Sequence, residues 1–276
     1  MYIYKSCHST RLSFCASEQD IVLEKARTKL YYIKKKCYNA FMDKDFISTV
    51  SHELRTPLTS IRGFSQTMLN SWDKLDDETK KRFLKIIEEQ SNRLINLVEN
   101  ILTVSKINSD KPVYKAVNVN TSIEKIKQLL TLKYKDCKII TNFNKNLPPA
   151  KLDEEKFQQI ITNLIDNACK YSDSKGEVIV STSFGNNENV EIKIKDFGVG
   201  IKEEDLSKVF DKFVRLENHL TSKTQGNGLG LYITKNLVES MNGKINAQSD
   251  LGKWTEFILN FPFYTQEEAL KCSQQS

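Results

Sequence analysis

No apolar run in this 276-residue sequence approaches the roughly 18–20 residues that a membrane-spanning helix requires. Residues 1–22 lack the continuous apolar stretch of a secretory signal, so an exported precursor is not expected. Neither charge sign dominates. Lys and Arg number 41 against 35 Asp and Glu, and the resulting +6 is mild for this length. The richest basic run, Lys34-Lys35-Lys36, is flanked by acids in a helical pattern and reads as a solvated face rather than a nucleic-acid contact. The six cysteines are scattered without a Cys-x-x-Cys pair, which suits a reducing cytosol and thiols used as small apolar residues. Cys7, His8 and Cys15 are better read as part of a weakly packed start than as metal ligands. There are only three histidines, and His52-Glu53-Leu54-Arg55-Thr56 lacks the second histidine of a helical zinc motif.

The length leaves room for one to two domains. Over 21–41, Leu23, Leu30 and Cys37 recur every seven residues, with Ala26, Ile33 and Ala40 three after each; this predicts a short, weak coiled coil running into the next helix. Around His52 the residues Ile47, Val50, Leu54, Leu58, Ile61 and Met68 recur at the helical period and should build a core. His52 falls nearly opposite that stripe, so His52, Glu53 and Thr56 are expected on one accessible strip. A neutral imidazole there is a nucleophile, and the adjoining carboxylate can take its ring proton. Pro57 removes a backbone donor and predicts a bend. Residues 71–78 read as an interhelical loop. Phe83, Ile87, Leu94, Leu97, Ile101 and Val104 form a second apolar stripe, which Leu84, Ile95, Val98 and Leu102 widen beyond what one partner helix would cover. That excess predicts a homodimer closed as a four-helix bundle.

Asn108 to Pro112 marks a boundary. Beyond it the pattern predicts helices near 120–134, 153–171 and 229–241, and strands at 137–143, 177–184, 189–195, 244–249 and 254–261. This is an α+β layer with helices on one face of a mostly antiparallel sheet. Residues after Phe263 read as a polar, frayed tail. On the helix 153–171, Asn163, Asn167, Lys170 and Tyr171 share a face. Amide oxygens there can ligate Mg²⁺, and Lys170 supplies a charge for phosphates. Asp196-Phe197-Gly198-Val199-Gly200 follows a strand, and Asp196 can accept a hydrogen bond from an amino group such as adenine N6. Gly226-Asn227-Gly228-Leu229-Gly230 opens a helix whose amides favour an anion. The polar stretch 211–225 between them has the length of a lid, with Phe210 and Phe213 anchoring its base and Arg215 placed to reach a γ-phosphate. His219, within it, reads as simply exposed.

In this order, these segments resemble the catalytic core of bacterial two-component sensor histidine kinases over about residues 42–264. Phe46 to Met68 resembles the family's H box, Asn163 to Ser172 its N box and Asp196 to Ile201 its G1 box; Val209 to Arg215 is similar to its F box and Gly226 to Leu231 to its G2 box. The resemblance implies an ATP-binding domain of the Bergerat type beside a dimeric phosphotransfer bundle. It implies His52 as phospho-acceptor, Glu53 as base, Asn167 as Mg²⁺ ligand, Asp196 as adenine reader, and Thr56 as positioning water to dephosphorylate a partner response regulator. Phe197 stands where the family usually has Asn or Thr, and Trp254 where it often has Gly. The expected organisation is 1–41 linker, 42–110 dimerisation and phosphotransfer, 113–264 ATP binding, and 265–276 tail, in a cytoplasmic protein. Two readings of the input stay open: a soluble kinase driven by a partner, or a chain lacking a sensor region. An ATP-driven conformational machine of the same ATPase fold, or a nucleotide-binding scaffold, are the alternatives.

Overall fold

The computed structural model describes residues 44–264, apart from 108–109, 173–175, 187 and 217–225. The heptad pattern of 21–41, Cys7, His8 and Cys15, His219 and the tail therefore lie outside the described residues.

Two long helices come first, α1 (Lys44–Ser71) and α2 (Asp77–Ile107). A single 3₁₀ turn, Trp72–Lys74, joins them. Asp76 fixes the start of α2, its carboxylate accepting from the Thr79 amide at 2.7 Å and the Thr79 hydroxyl at 3.0 Å. These bonds hold the Asp76 carboxyl below its ordinary pKa. The hairpin core contains Phe46, Pro57, Met68, Leu97, Ile101 and Val104. The stripe expected to be buried around His52 is only partly so: Ile47 and Leu58 remain exposed, as do Leu69, Leu84 and Ile95. Each helix of a two-helix hairpin covers only the face turned to its partner, so a broader apolar stripe is left uncovered. Helix α1 continues through Pro57.

The rest of the chain alternates β1 (Lys115–Val117), α3 (Val119–Lys133), β2 (Lys138–Phe143), β3 (Ala150–Leu152), α4 (Glu154–Tyr171), β4 (Glu177–Phe184), β5 (Asn189–Asp196), α5 (Gly230–Ser240), β6 (Lys244–Asp250) and β7 (Trp254–Pro262). The five-stranded sheet has the order β2-β4-β5-β7-β6, with only β2–β4 parallel. Strands β1 and β3 pair into a separate two-stranded ribbon that the sequence pattern did not predict; at three residues each they are too short to show alternation.

One sheet face is apolar by strict alternation: Val178 and Val180 on β4, Val190, Ile192 and Ile194 on β5, Phe257, Leu259 and Phe261 on β7. Against it packs α4, which buries Phe157, Ile160, Ile161, Leu164, Ile165, Ala168 and Cys169. Each large side chain among them contributes about 1.5–3 kcal/mol of burial. Asp196 ends the apolar row of β5, so its side chain points under the helices rather than to solvent.

Asp153 starts α4 and also ties it to the incoming chain. One carboxylate oxygen accepts from the Lys156 amide at 3.2 Å and the other from the Val113 amide at 2.9 Å. Asp153→Ala removes the cap and leaves a part-buried amide without its partner, so unfolding in urea should show a loss of about 2 kcal/mol. Asp153→Asn should recover about half of it. An alanine variant as stable as the parent would refute the role.

Candidate functional site

His52 is exposed on α1, and so is Thr56 one turn on. Glu53 departs from the expected accessible strip. It is half-buried and leans across to α2, where Oε2 meets Nη2 of Arg93 at 3.2 Å. The Thr56 hydroxyl donates to the His52 carbonyl at 3.3 Å, so it is engaged with the backbone of the residue it was expected to assist.

A cavity of about 690 Å³ opens between α4, α5 and the ends of β5 and β7. It is lined by Asn163, Asn167, Lys170, Tyr171, Asp196, Gly200, Arg215, Gly226, Gly228, Gly230 and Leu231. Of the residues singled out around it in the sequence, Phe197, Gly198, Phe210, Phe213 and Leu229 are not on its wall. Gly198 acts behind it: a side chain there would collide with the Tyr171 carbonyl, so the loop after β5 lies directly on the end of α4. Gly228 has φ +68° and backs onto the Phe213 backbone, whose amide donates to the Gly228 carbonyl at 2.9 Å.

Asp196 is only 4% exposed, and its Oδ1 accepts from the Gly198 amide at 3.0 Å. Burial pushes its carboxyl up to about 6, with the Gly198 bond opposing the rise. Asn163 is half-buried, its amide donating to the Thr234 hydroxyl of α5 at 2.7 Å. No side chain caps α5, whose first turn lies at Gly230 and Leu231 on the cavity wall.

Lys170 is less available than its position suggests. Its ammonium pairs with Asp166 at 2.5 Å, and the same carboxylate takes Lys133 at 2.6 Å and the Tyr134 hydroxyl at 2.7 Å. These partners overcome the effect of burial and hold the Asp166 carboxyl low; the Tyr134 hydroxyl is pushed well above its ordinary range by burial and by Asp166. Asp166 was not flagged by the sequence. Its i, i+4 spacing to Lys170 was visible, but Lys133 and Tyr134 come from another helix end, 32 or more residues away.

The hairpin contributes to the same cavity through Arg93, Asn96, Glu99 and Asn100 of α2. Asn100 donates to Asn227 Oδ1 at 3.4 Å, and Asn227 in turn accepts from the Leu229 amide at 3.2 Å. At the start of α1, Phe46 packs on Phe213 with ring centroids 5.5 Å apart, while Phe210 packs on Phe257. Pure sequence periodicity could not have found these, because helix-to-loop contacts leave no repeat. The two aromatic departures from the family flank one cation: Lys195 lies 4.2 Å from the Trp254 ring and 5.7 Å from that of Phe197. Among the described residues, no three His, Cys, Asp or Glu side chains are grouped to hold a metal.

Residues 42–110 match the His Kinase A (phospho-acceptor) domain, and 152–265 match the histidine kinase-, DNA gyrase B-, and HSP90-like ATPase family. The chain is 34% identical over 229 residues to the sensor protein SrrB of Staphylococcus aureus (strain NCTC 8325 / PS 47), covering 80% of this chain and 38% of that one. The chain holds the catalytic core of a two-component sensor histidine kinase. The match spans well under half the length of the curated relatives. Among solved structures, full-length ShkA in complex with AMPPNP is 26% identical with a TM-score of 0.59, over 80% of this chain and 46% of that one. The histidine kinase ThkA in complex with the response regulator TrrA shares the fold, with a TM-score of 0.67 at 23% identity over 86% of this chain and 66% of that one. A helical hairpin followed by an α/β ATPase sheet is thus the fold of a sensor kinase core, as expected.

Proposed function

We propose that this chain phosphorylates His52 from ATP and passes the phosphoryl group to an aspartate of a response regulator. The observation that carries the proposal is a shared cavity. Its walls come both from the α4, α5 and glycine-loop residues of the ATPase fold and from α2 of the hairpin that bears His52.

ATP suits this cavity physically. Asp196 is a buried acceptor for the adenine amino group, and the uncapped start of α5 at Gly230 and Leu231 favours phosphate. Arg215, on the wall, adds positive charge. Asn163 and Tyr171 shape the α4 side, with Gly226 and Gly228 opposite. Asn167 offers an amide oxygen to Mg²⁺, which when bound offsets phosphate charge and orients the terminal group. His52 attacks phosphorus; an N–P bond forms as the bond to the ADP oxygen breaks. Glu53, next in sequence to His52 and anchored by Arg93, takes the imidazole proton. Radiolabel from [γ-³²P]ATP retained on the chain tests the reading. The ATPases related through gyrase B and HSP90 would hydrolyse ATP without retaining label.

The domain roles follow: 42–110 for dimerisation and phosphotransfer, 113–264 for nucleotide. Exposed Leu58, Leu84 and Ile95 support a homodimer that covers the hairpin's outer apolar face. No described helix is long and apolar enough to cross a membrane. The ATP-dependent reaction itself belongs to the cytoplasm, with sensory input from an upstream region or a separate chain.

For Thr56 we propose a part in dephosphorylating the regulator. Thr56→Ala should leave labelling of His52 largely intact and slow regulator dephosphorylation, because a hydroxyl orients water but is not needed for attack on ATP. Its bond to the His52 carbonyl supplies the competing account, a backbone cap. Under that account kinase and phosphatase rates fall together with Tm, and Thr56→Ser restores all three. Equal loss of both rates would therefore remove Thr56 from the reaction.

A further inference from the structure

Cys137 and Cys169 lie 32 residues apart in sequence, one just before β2 and the other in the last turn of α4, yet their Sγ atoms are 3.3 Å apart. Cys137 is half-exposed and Cys169 buried. A disulfide bond of about 2.0 Å needs the sulfurs to close by little more than 1 Å, a shift that a helix end and a turn can accommodate. The two sulfurs also differ in access. An oxidant from solvent reaches the accessible Cys137 sulfur first, and the buried Cys169 sulfur, 3.3 Å away, is placed to resolve it.

The position matters because of what α4 carries. Asn167 and Lys170 flank Cys169, and the Tyr171 carbonyl is the surface on which Gly198 rests, with the Val199 amide donating to it at 3.4 Å. The backbone at Gly198 lies so close to that carbonyl that even a Cβ would collide with it. The turn holding Cys137 is already tied to α4 through Tyr134 and Asp166, and the Cys137 amide donates to the Tyr134 carbonyl at 3.3 Å. Drawing residue 169 toward 137 shifts the last turn of α4, and with it Asn167, Tyr171 and the loop 196–200.

We propose that Cys137 and Cys169 form a reversible thiol-oxidation site that weakens nucleotide binding when the disulfide forms. The oxidant class is a hydroperoxide. The Cys137 thiolate attacks one peroxide oxygen as the O–O bond breaks, giving a sulfenic acid and, with the thiol proton, an alcohol, or one water when the oxidant is hydrogen peroxide. Cys169 sulfur then attacks Cys137 Sγ; the S–S bond forms as the S–O bond breaks, and the Cys169 proton leaves with the hydroxyl as water. A dithiol reductant reverses it by exchange. The effect on nucleotide rests on the ATP reading given above; the thiol chemistry does not.

The test uses the full chain with Cys7, Cys15, Cys37 and Cys272 replaced by Ser, treated with hydrogen peroxide and then with dithiothreitol. Peptide mass mapping should show a 137–169 crosslink, and calorimetry should show several-fold weaker ATP binding, both reversed by reductant. Cys137→Ser or Cys169→Ser in that background should leave ATP affinity unchanged by peroxide. Two thiols that stay separately alkylatable, or a crosslink with unchanged ATP affinity, would overturn the proposal. Failure of the reduced chain to bind ATP would overturn the nucleotide reading instead. In that case amide exchange across 163–171 and 196–200 decides the thiol site: altered exchange on oxidation supports it and unchanged exchange refutes it.

Discussion

His52→Ala should abolish incorporation of label from [γ-³²P]ATP while leaving ATP affinity within error of the parent. The two properties separate because His52 is exposed on α1, whereas the nucleotide wall is built from α4, α5, the glycine loops and α2. No cavity-lining residue is removed, and loss of an exposed side chain from a helix surface changes stability by about 0.5 kcal/mol at most. The bond in question is a phosphoramidate, so the label should be lost in acid and survive in base. Label that persists in acid but is lost in base would indicate a phosphate ester at a Ser or Thr hydroxyl, label lost in both would indicate an acyl phosphate, and with either result the assignment of His52 would fail. Loss of ATP binding together with label would show instead that His52 supports the fold.

Asp196→Asn has the next largest expected effect, on the other half of the reaction. Replacing a charge-assisted bond to the adenine amino group by a neutral one should weaken ATP binding by about 1.5–3 kcal/mol, or roughly 10- to 150-fold. Discrimination against GTP should fall with it, because guanine presents a carbonyl where adenine presents a donor. Burial gives this prediction a second arm. The Asp196 carboxyl titrates at about 6 in the folded chain against an ordinary 3.8. A carboxyl raised on folding contributes stability that is full below 3.8 and is lost as pH rises through about 6. The Asn variant lacks that loss, so above pH 7 it should be as stable as the parent or more so, by up to about 3 kcal/mol, despite binding ATP less well.

The same titration makes nucleotide affinity pH-dependent. If Asp196 accepts from adenine as proposed, ATP binds the ionised carboxylate, and the parent's affinity should fall by about tenfold per pH unit below about pH 6. The ratio of parent to Asn-variant affinity isolates this from titration of the phosphates themselves. A constant ratio between pH 5 and 8 would mean that Asp196 does not contact the nucleotide. A variant that binds ATP normally would make it a structural residue only.

Much of this was legible in the sequence because it depends on local periodicity. The 3.6-residue period of 154–171 places Asn163 and Asn167, four residues apart, on one face of the helix, and the structure puts both asparagines on the cavity. Strict alternation along Asn189–Asp196 puts Asp196 on the buried face with Ile192 and Ile194, which a count from Val190 would have anticipated. The glycine loops were identifiable because glycine takes φ +68° at no steric cost and can meet a carbonyl without a side chain in the way.

Tertiary structure alone decided the rest, since it concerns groups far apart in the chain. Glu53 was read as solvent-facing, but Arg93, 40 residues on, draws it toward α2. Lys170 was read as a phosphate ligand, but it shares Asp166 with Lys133 and Tyr134 from the end of α3. The cysteines were read as small apolar residues, and pairwise that holds until β2 and α4 bring Cys137 and Cys169 to 3.3 Å. Sequence periodicity determines which face a side chain takes on its own element, because backbone geometry repeats every 3.6 or 2 residues. It carries no information on which other element that face will meet, because that depends on how helices and strands pack across the whole core.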